Sequence, residues 1–217
     1  MCELLGVFTR TRTPVNDLLR EFFSHSTDHP NGWGLAFFHG DSVSLEKEPV
    51  MALKSAYLRE RLRRPISTSA MVAHIRLATR GTMEYENCHP FVGRDSGGRT
   101  WTLLHNGTVF EAPELDRYVH TQEGHTDSER ILCHLLSQVN QEQTLSGAPL
   151  TTQQRFALLE RLTERLSRRS KLNLMIYDGE LLYPTPTMPQ ASIRLRWRQG
   201  GCLPPLPWVG WTGSLCP

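Results

Sequence analysis

The chain has 217 residues, enough to bury a hydrophobic core without disulfide or metal staples. Its 24 Lys and Arg nearly balance 22 Asp and Glu, so the bulk charge carries no footprint for nucleic acid or another polyanion. Apolar runs fall far short of a membrane span, and Glu3, Arg10, Arg12, Asp17 and Arg20 interrupt any secretory stretch at the N-terminus. The five cysteines, at 2, 88, 133, 202 and 216, form no C-x-x-C pair, which argues against a disulfide framework or zinc knuckle and for a reducing cytoplasm.

In chain order, Cys2 to Phe8 is apolar and predicts a strand that begins directly behind Met1. Residues 14–25 carry Leu18, Leu19, Phe22 and Phe23 at helical spacing. His29-Pro-Asn-Gly-Trp-Gly34 reads as a turn feeding a strand at Leu35 to Phe38, with a hairpin partner near 42–47. Residues 51–64 predict a helix that stops at Pro65. Ser69 to Arg76 has the continuous apolar character of a strand buried on both faces. Trp101 to His105 is a further strand, broken by Asn106-Gly107. Asp127 to Leu136 opens with capping residues and continues at helical spacing. Residues 152–170 form a basic amphipathic helix, and 172–177 with 180–183 a hairpin around Asp178-Gly179. Strands and helices come in runs, which favours an α+β layered fold over a doubly wound one.

Cys2 is the most informative position. Removal of Met1, which a small second residue permits, would place a thiol and an α-amine on one residue. An α-amine titrates near roughly 7.7–8.0 and can serve as the base for its own nucleophile. By itself Cys2 also fits a small buried residue at a strand start. Four further clusters bear on it. Arg76 ends a buried strand, where a guanidinium can clamp a carboxylate bidentately. Asn106 and Gly107 can offer a side-chain and a backbone N–H to a developing oxyanion. Asp127 at a helix start can face an ammonium group. Asn87-Cys-His-Pro-Phe91 lies between them on a loop. Each also has a plain alternative: a surface ion pair, a hairpin turn, a helix cap.

Taken in order, Cys2 behind Met1, Asn31-Gly-Trp-Gly34, His74-Ile-Arg-Leu-Ala-Thr-Arg-Gly81, Asn87-Cys-His-Pro-Phe91, His105-Asn-Gly107 and Thr126-Asp-Ser-Glu129 resemble the class II glutamine amidotransferases. These are N-terminal-nucleophile hydrolases whose first residue is cysteine, and the single-domain bacterial branch is the most similar. The resemblance covers residues 2 to about 183. It implies a four-layer αββα sandwich of two antiparallel sheets, incomplete at the C-terminus. It also implies hydrolysis of the glutamine γ-carboxamide through a γ-glutamyl thioester, with Cys2 as nucleophile and base. Asn106 and Gly107 would form the oxyanion hole, Arg76 would hold the α-carboxylate and Asp127 the α-ammonium, with His74 and Thr79 on the substrate side. No cofactor or metal is implied. The partners expected are glutamine or a γ-glutamyl small molecule and an unidentified ammonia acceptor, with no nucleic acid and no membrane. Leu77 and Arg80 depart from the tryptophan and histidine of synthase-linked relatives.

Rival readings are a γ-glutamyl conjugate hydrolase and an inactive relative acting as a binding subunit. A metal site at His25, His29, His120 and His125 lacks an accompanying H-E-x-x-H pattern. A thiol site at Cys88-His89 asks adjacent residues to face one point. The basic runs 59–64 and 161–171 read as solvated helix faces.

Residues 184–217 differ from the rest. They hold seven of the 14 prolines and no Asp, Glu or Lys. Prolines oppose strand formation, so the expected division is an amidotransferase domain at 2–183 and a divergent or frame-shifted, poorly ordered tail.

Overall fold

The computed structural model describes residues 2–78, 82–168 and 170–185, together with the backbone of 193–196. Its strands are β1 (Glu3–Pro14), β2 (Trp33–His39), β3 (Ser42–Glu48), β4 (Ser67–Ile75), β5 (Phe91–Arg94), β6 (Thr100–Thr108), β7 (Lys171–Tyr177), β8 (Leu182–Thr185) and β9 (Ile193–Arg196). The α-helices are α1 (Asn16–Ser24), α2 (Ala56–Arg61), α3 (Asp127–Ser146) and α4 (Thr152–Ser167).

Alternation along the strands builds the layers. In the first sheet, ordered β3-β2-β4-β1-β9, Leu5, Val7, Leu35, Ala73 and Ile75 point outward and pack with Leu19, Phe22 and Phe23 of α1 and Leu58 of α2. Their neighbours Leu4, Ala36 and Val72 point inward and meet Leu104 and Met175 of the second sheet. That sheet, ordered β5-β6-β7-β8, turns Leu103, Leu172, Leu174 and Ile176 outward onto Ile131 and Leu135 of α3 and Leu158, Leu159 and Leu162 of α4. Period-two strands with both faces apolar and helices with one apolar stripe satisfy this helix–sheet–sheet–helix order. Each fully buried Leu or Phe contributes about 1.5–3 kcal/mol. The expected α+β four-layer sandwich is therefore the fold. Among the described strands every pairing is antiparallel except that of β9, which runs parallel to β1.

Local departures from the sequence reading have physical causes. The segment read as one helix over 51–64 is a 3-10 turn at Ala52–Lys54 followed by α2. Ser55 divides them because its backbone is extended and its hydroxyl accepts from Leu58 N at 2.9 Å, a cap rather than an interior position. Asn106-Gly107 does not break its strand. β6 continues to Thr108, with Asn106 opposite Asn173 and Gly107 opposite Leu172, because β7 supplies the ladder partners that a local turn would forgo. Strand pairing also reaches beyond Tyr183. Pro184 lies opposite Met175 in β8, an edge strand where a missing N–H is tolerated, and Ile193 lies opposite Leu4. Apart from 184–185 and the backbone of 193–196, residues 184–217 lie outside the described residues.

Candidate active site

The site forms where β4 and β6 end. Alternation puts Cys2, His74 and Arg76 on the inner face of the first sheet, in phase with Leu4 and Val72, and Asn106 on the inner face of the second, in phase with Leu104. Glu3 pairs with Ile75, so the next step outward brings Cys2 beside the exit of β4. There the Leu77 N–H donates to Cys2 Sγ at 3.3 Å, and the thiol lies 3.5 Å from Leu77 O. Burial pushes the Cys2 thiol pKa up, opposed by the Leu77 N–H and the Arg76 guanidinium. The thiolate therefore needs a base close by.

Arg76 is 2% exposed. Its Nη1 donates to Thr82 O at 3.1 Å and Asn31 O at 3.4 Å, which aligns the guanidinium plane against the turn before β2. Asn31 shapes the same corner: its N–H donates to Arg76 O at 3.0 Å and its Oδ1 accepts from Ala78 N at 2.9 Å. In the sequence Asn31 reads as part of a turn and as the first residue of the Asn31-Gly-Trp-Gly34 motif, with no role of its own assigned.

The two sheets meet at this end through His74, whose Nε2 lies 3.3 Å from His105 O, the residue before Asn106. Asn106 is 5% exposed, and its backbone carbonyl accepts from Asn173 Nδ2 at 2.7 Å. Its Oδ1 is buried without a hydrogen-bond partner among the described residues. Gly107 has no room for a side chain. A Cβ there would stand 1.8 Å from Lys171 O and 2.7 Å from His105 Nε2.

Asp127 opens α3 behind Thr126, whose hydroxyl caps Glu129 N. One Asp127 oxygen accepts from Val109 N at 2.8 Å and the other from Ser128 N at 3.0 Å. The carboxylate is thus oriented by the end of β6 and by its own helix terminus, a favourable position for negative charge. His105 locks the same junction, with Nδ1 at 2.9 Å from Ser128 Oγ and Nε2 at 3.3 Å from Lys171 O. Arg76 and Asp127 supply one fixed cation and one fixed anion, the pair a zwitterionic amino-acid head requires. Thr79 lies outside the described residues.

Residues 1–194 match the family model of class II glutamine amidotransferases. The chain belongs to that family. It is 41% identical over 186 residues to an uncharacterized protein of Methanocaldococcus jannaschii, covering 84% of this chain and 50% of that one. It is 30% identical over 200 residues to YafJ of Escherichia coli K12, covering 91% of this chain and 75% of YafJ. The chain therefore spans half the length of the archaeal relative. Among solved structures it resembles a predicted glutamine amidotransferase from Pseudomonas aeruginosa, with a TM-score of 0.54, 24% identity, and coverage of 84% of this chain and 72% of that one.

In this amidotransferase domain three histidines lie behind the site. His74 is fully buried and burial pushes its pKa down to about 3. Its ring stands 4.2 Å from that of His89, which burial also holds well below the usual histidine range. Burial lowers His105 too, against the pull of Asp127. All three are neutral at pH 7. Cys88 is buried with its pKa pushed up to about 11, and its thiol lies 3.5 Å from both Glu48 O and Glu84 O. It has neither the exposure nor the thiolate character of a nucleophile. His25 Nδ1 bonds Glu3 Oε2 at 2.9 Å and His29 Nδ1 bonds His25 O at 2.9 Å. No helix among the described residues is long and apolar enough to cross a membrane.

Proposed function

We propose that this amidotransferase domain hydrolyses the γ-carboxamide of glutamine through Cys2, after removal of Met1 has freed its α-amine. The observation that carries this reading is the convergence of Cys2, Arg76, Asn106, Gly107 and Asp127 at one end of the two sheets. While Met1 is attached the Cys2 nitrogen is an amide and cannot act as a base; once free, the amine takes the thiol proton, directly or through a water. The thiolate attacks the carbonyl carbon of the γ-carboxamide and the carbonyl π pair moves to oxygen, where Asn106 Nδ2–H and Gly107 N–H stabilise it. Collapse of this intermediate passes the proton from the ammonium to the leaving nitrogen and releases ammonia. Water, deprotonated by the same amine, then cleaves the γ-glutamyl thioester to give glutamate and the thiol. Arg76 and Asp127 hold the α-carboxylate and α-ammonium; His74, buried behind them, and Thr79 are assigned to the substrate side by the family resemblance alone. The chemistry requires no cofactor, and a thiol nucleophile of this kind suits a reducing cytoplasm.

Mass spectrometry of the purified protein should find Cys2 as the first residue, alkylated there by a glutamine-mimicking electrophile. Cys2→Ala should lose glutamate release by about 10⁴-fold or more. Retained Met1 or full activity in Cys2→Ala would overturn the mechanism. Because the Arg76 and Asp127 clamp grips only the amino-acid head, a panel of γ-glutamyl amides will place free glutamine against conjugates as substrate and show whether ammonia passes to an acceptor. The same reading takes 2–183 as the catalytic unit, joined by the paired strand residues 184–185 and 193–196, and the remaining composition as a divergent or frame-shifted end, which resequencing the gene tests.

A further inference from the structure

The cationic and anionic halves of the head-group clamp lie on different segments, so their separation must be set by something outside both. The geometry points to Asn87 as the positioning residue that fixes the spacing between Arg76 and Asp127, and so the affinity for the α-amino-acid head; this rests on the proposed function.

Asn87 is 0% exposed, yet its amide makes bonds in two directions. Nδ2 donates to Thr82 O at 3.2 Å and lies 3.2 Å from Thr82 Oγ1 and 3.4 Å from Glu84 Oε2. Thr82 O is the same carbonyl that accepts from Arg76 Nη1 at 3.1 Å. In the other direction Oδ1 accepts from His125 N at 2.7 Å, two residues before Asp127. One planar amide therefore joins the carbonyl that orients the cation to the loop that delivers the anion.

The loop is shaped to receive it. A Cβ on Gly124 would stand 2.5 Å from Asn87 Oδ1, so only glycine lets the backbone approach this closely. The Glu129 carboxylate in turn accepts from Glu123 N at 2.7 Å and Gly124 N at 2.9 Å. With Glu129 holding the loop to α3 and Asn87 holding it to the Arg76 side, the stretch 123–126 has little freedom to shift. A plain stability role would not require both halves of the amide to end on the two clamp-bearing segments.

Steady-state kinetics with glutamine and calorimetric titration with L-glutamate test this on the full chain. Asn87→Ala should raise KM and the L-glutamate Kd about tenfold or more, the scale of losing buried hydrogen bonds, with kcat within about threefold. Alkylation of Cys2 by iodoacetamide, which has no amino-acid head, should keep its wild-type rate. Asn87→Asp keeps the acceptor for His125 N and loses the donor to Thr82 O, so its KM should rise as well, and it serves if the alanine variant is unfolded. Unchanged KM and Kd in a folded variant, a fall in kcat alone, or loss of fold in both variants overturns the inference. If the wild-type protein binds no L-glutamate, the reading of the site falls and this inference with it, whereas equal binding by wild type and variants removes only the role of Asn87.

Discussion

The two ends of the second sheet are both polar, but they are completed differently. At the end away from Cys2, Arg155 of α4 donates to Asp178 Oδ2 at 2.6 Å, Leu150 O at 2.8 Å and Glu180 Oε2 at 2.5 Å, and Asp178 Oδ1 accepts from Glu180 N and Leu181 N at 3.0 and 2.6 Å. The Arg155 and Asp178 side chains are 3% and 1% exposed. Each half of the pair has its partners inside the protein, and the group ties α4 to the turn between β7 and β8. At the Cys2 end, Asn106 Oδ1 and both ring nitrogens of His89 are buried without partners among the described residues. A buried charge pair whose partners all lie in the protein serves the fold, whereas buried unmatched groups together with a cation and an anion on separate segments mark the Cys2 end as the candidate site.

Substitutions at the two ends should therefore separate stability from turnover. Arg155→Ala strands a buried carboxylate and should cost about 3–5 kcal/mol in urea unfolding, while KM and kcat of the folded fraction stay at wild-type values. A loss below about 1 kcal/mol would show that the pair is not closed as described. Asn106→Ala should behave oppositely, lowering kcat about 10²–10³-fold with a much smaller change in unfolding free energy. Equal losses of stability and activity at both sites would erase the distinction.

The smallest expected effect is a pH dependence at the Cys2 end. His74 titrates near 3 in the folded chain against 6.5 when exposed. Between those values the unfolded chain binds a proton that the folded chain excludes, so stability should fall as pH is lowered from about 6.5. One excluded proton corresponds to about 1.4 kcal/mol per pH unit. Unfolding free energies at pH 6.5 and 4.5 should show His74→Gln with a slope shallower by about that amount, and an unchanged slope would mean that His74 is protonated in the folded protein.

Much of the proposed site is legible in the sequence. Cys2, Arg76, Asn106, Gly107 and Asp127 stand in ordered motifs, because chemistry constrains residue type at fixed offsets from strand and helix ends. Asn31 and Asn87 also stand in ordered motifs, but no role is legible for them there: Asn31 bonds residues 45 and 47 positions away, and Asn87 joins Thr82, five positions back, to His125, 38 positions on. Asn106-Gly107 carries a local turn signal that pairing with β7 overrides. The long helix expected over 51–64 is cut short by the cap at Ser55, which competes with the interior of a helix through its own hydroxyl.

The sequence by itself determined the layers, because apolar period in strands and helices dictates which faces must be covered, and it determined the residue types that chemistry on an amide needs. Tertiary structure decided where those types meet. The spacing between the guanidinium of Arg76 and the carboxylate of Asp127, the neutrality of His74, His89 and His105, and the closed charge network at Asp178 all depend on burial and on bonds between distant segments. Those are properties of the assembled layers, which no local pattern encodes.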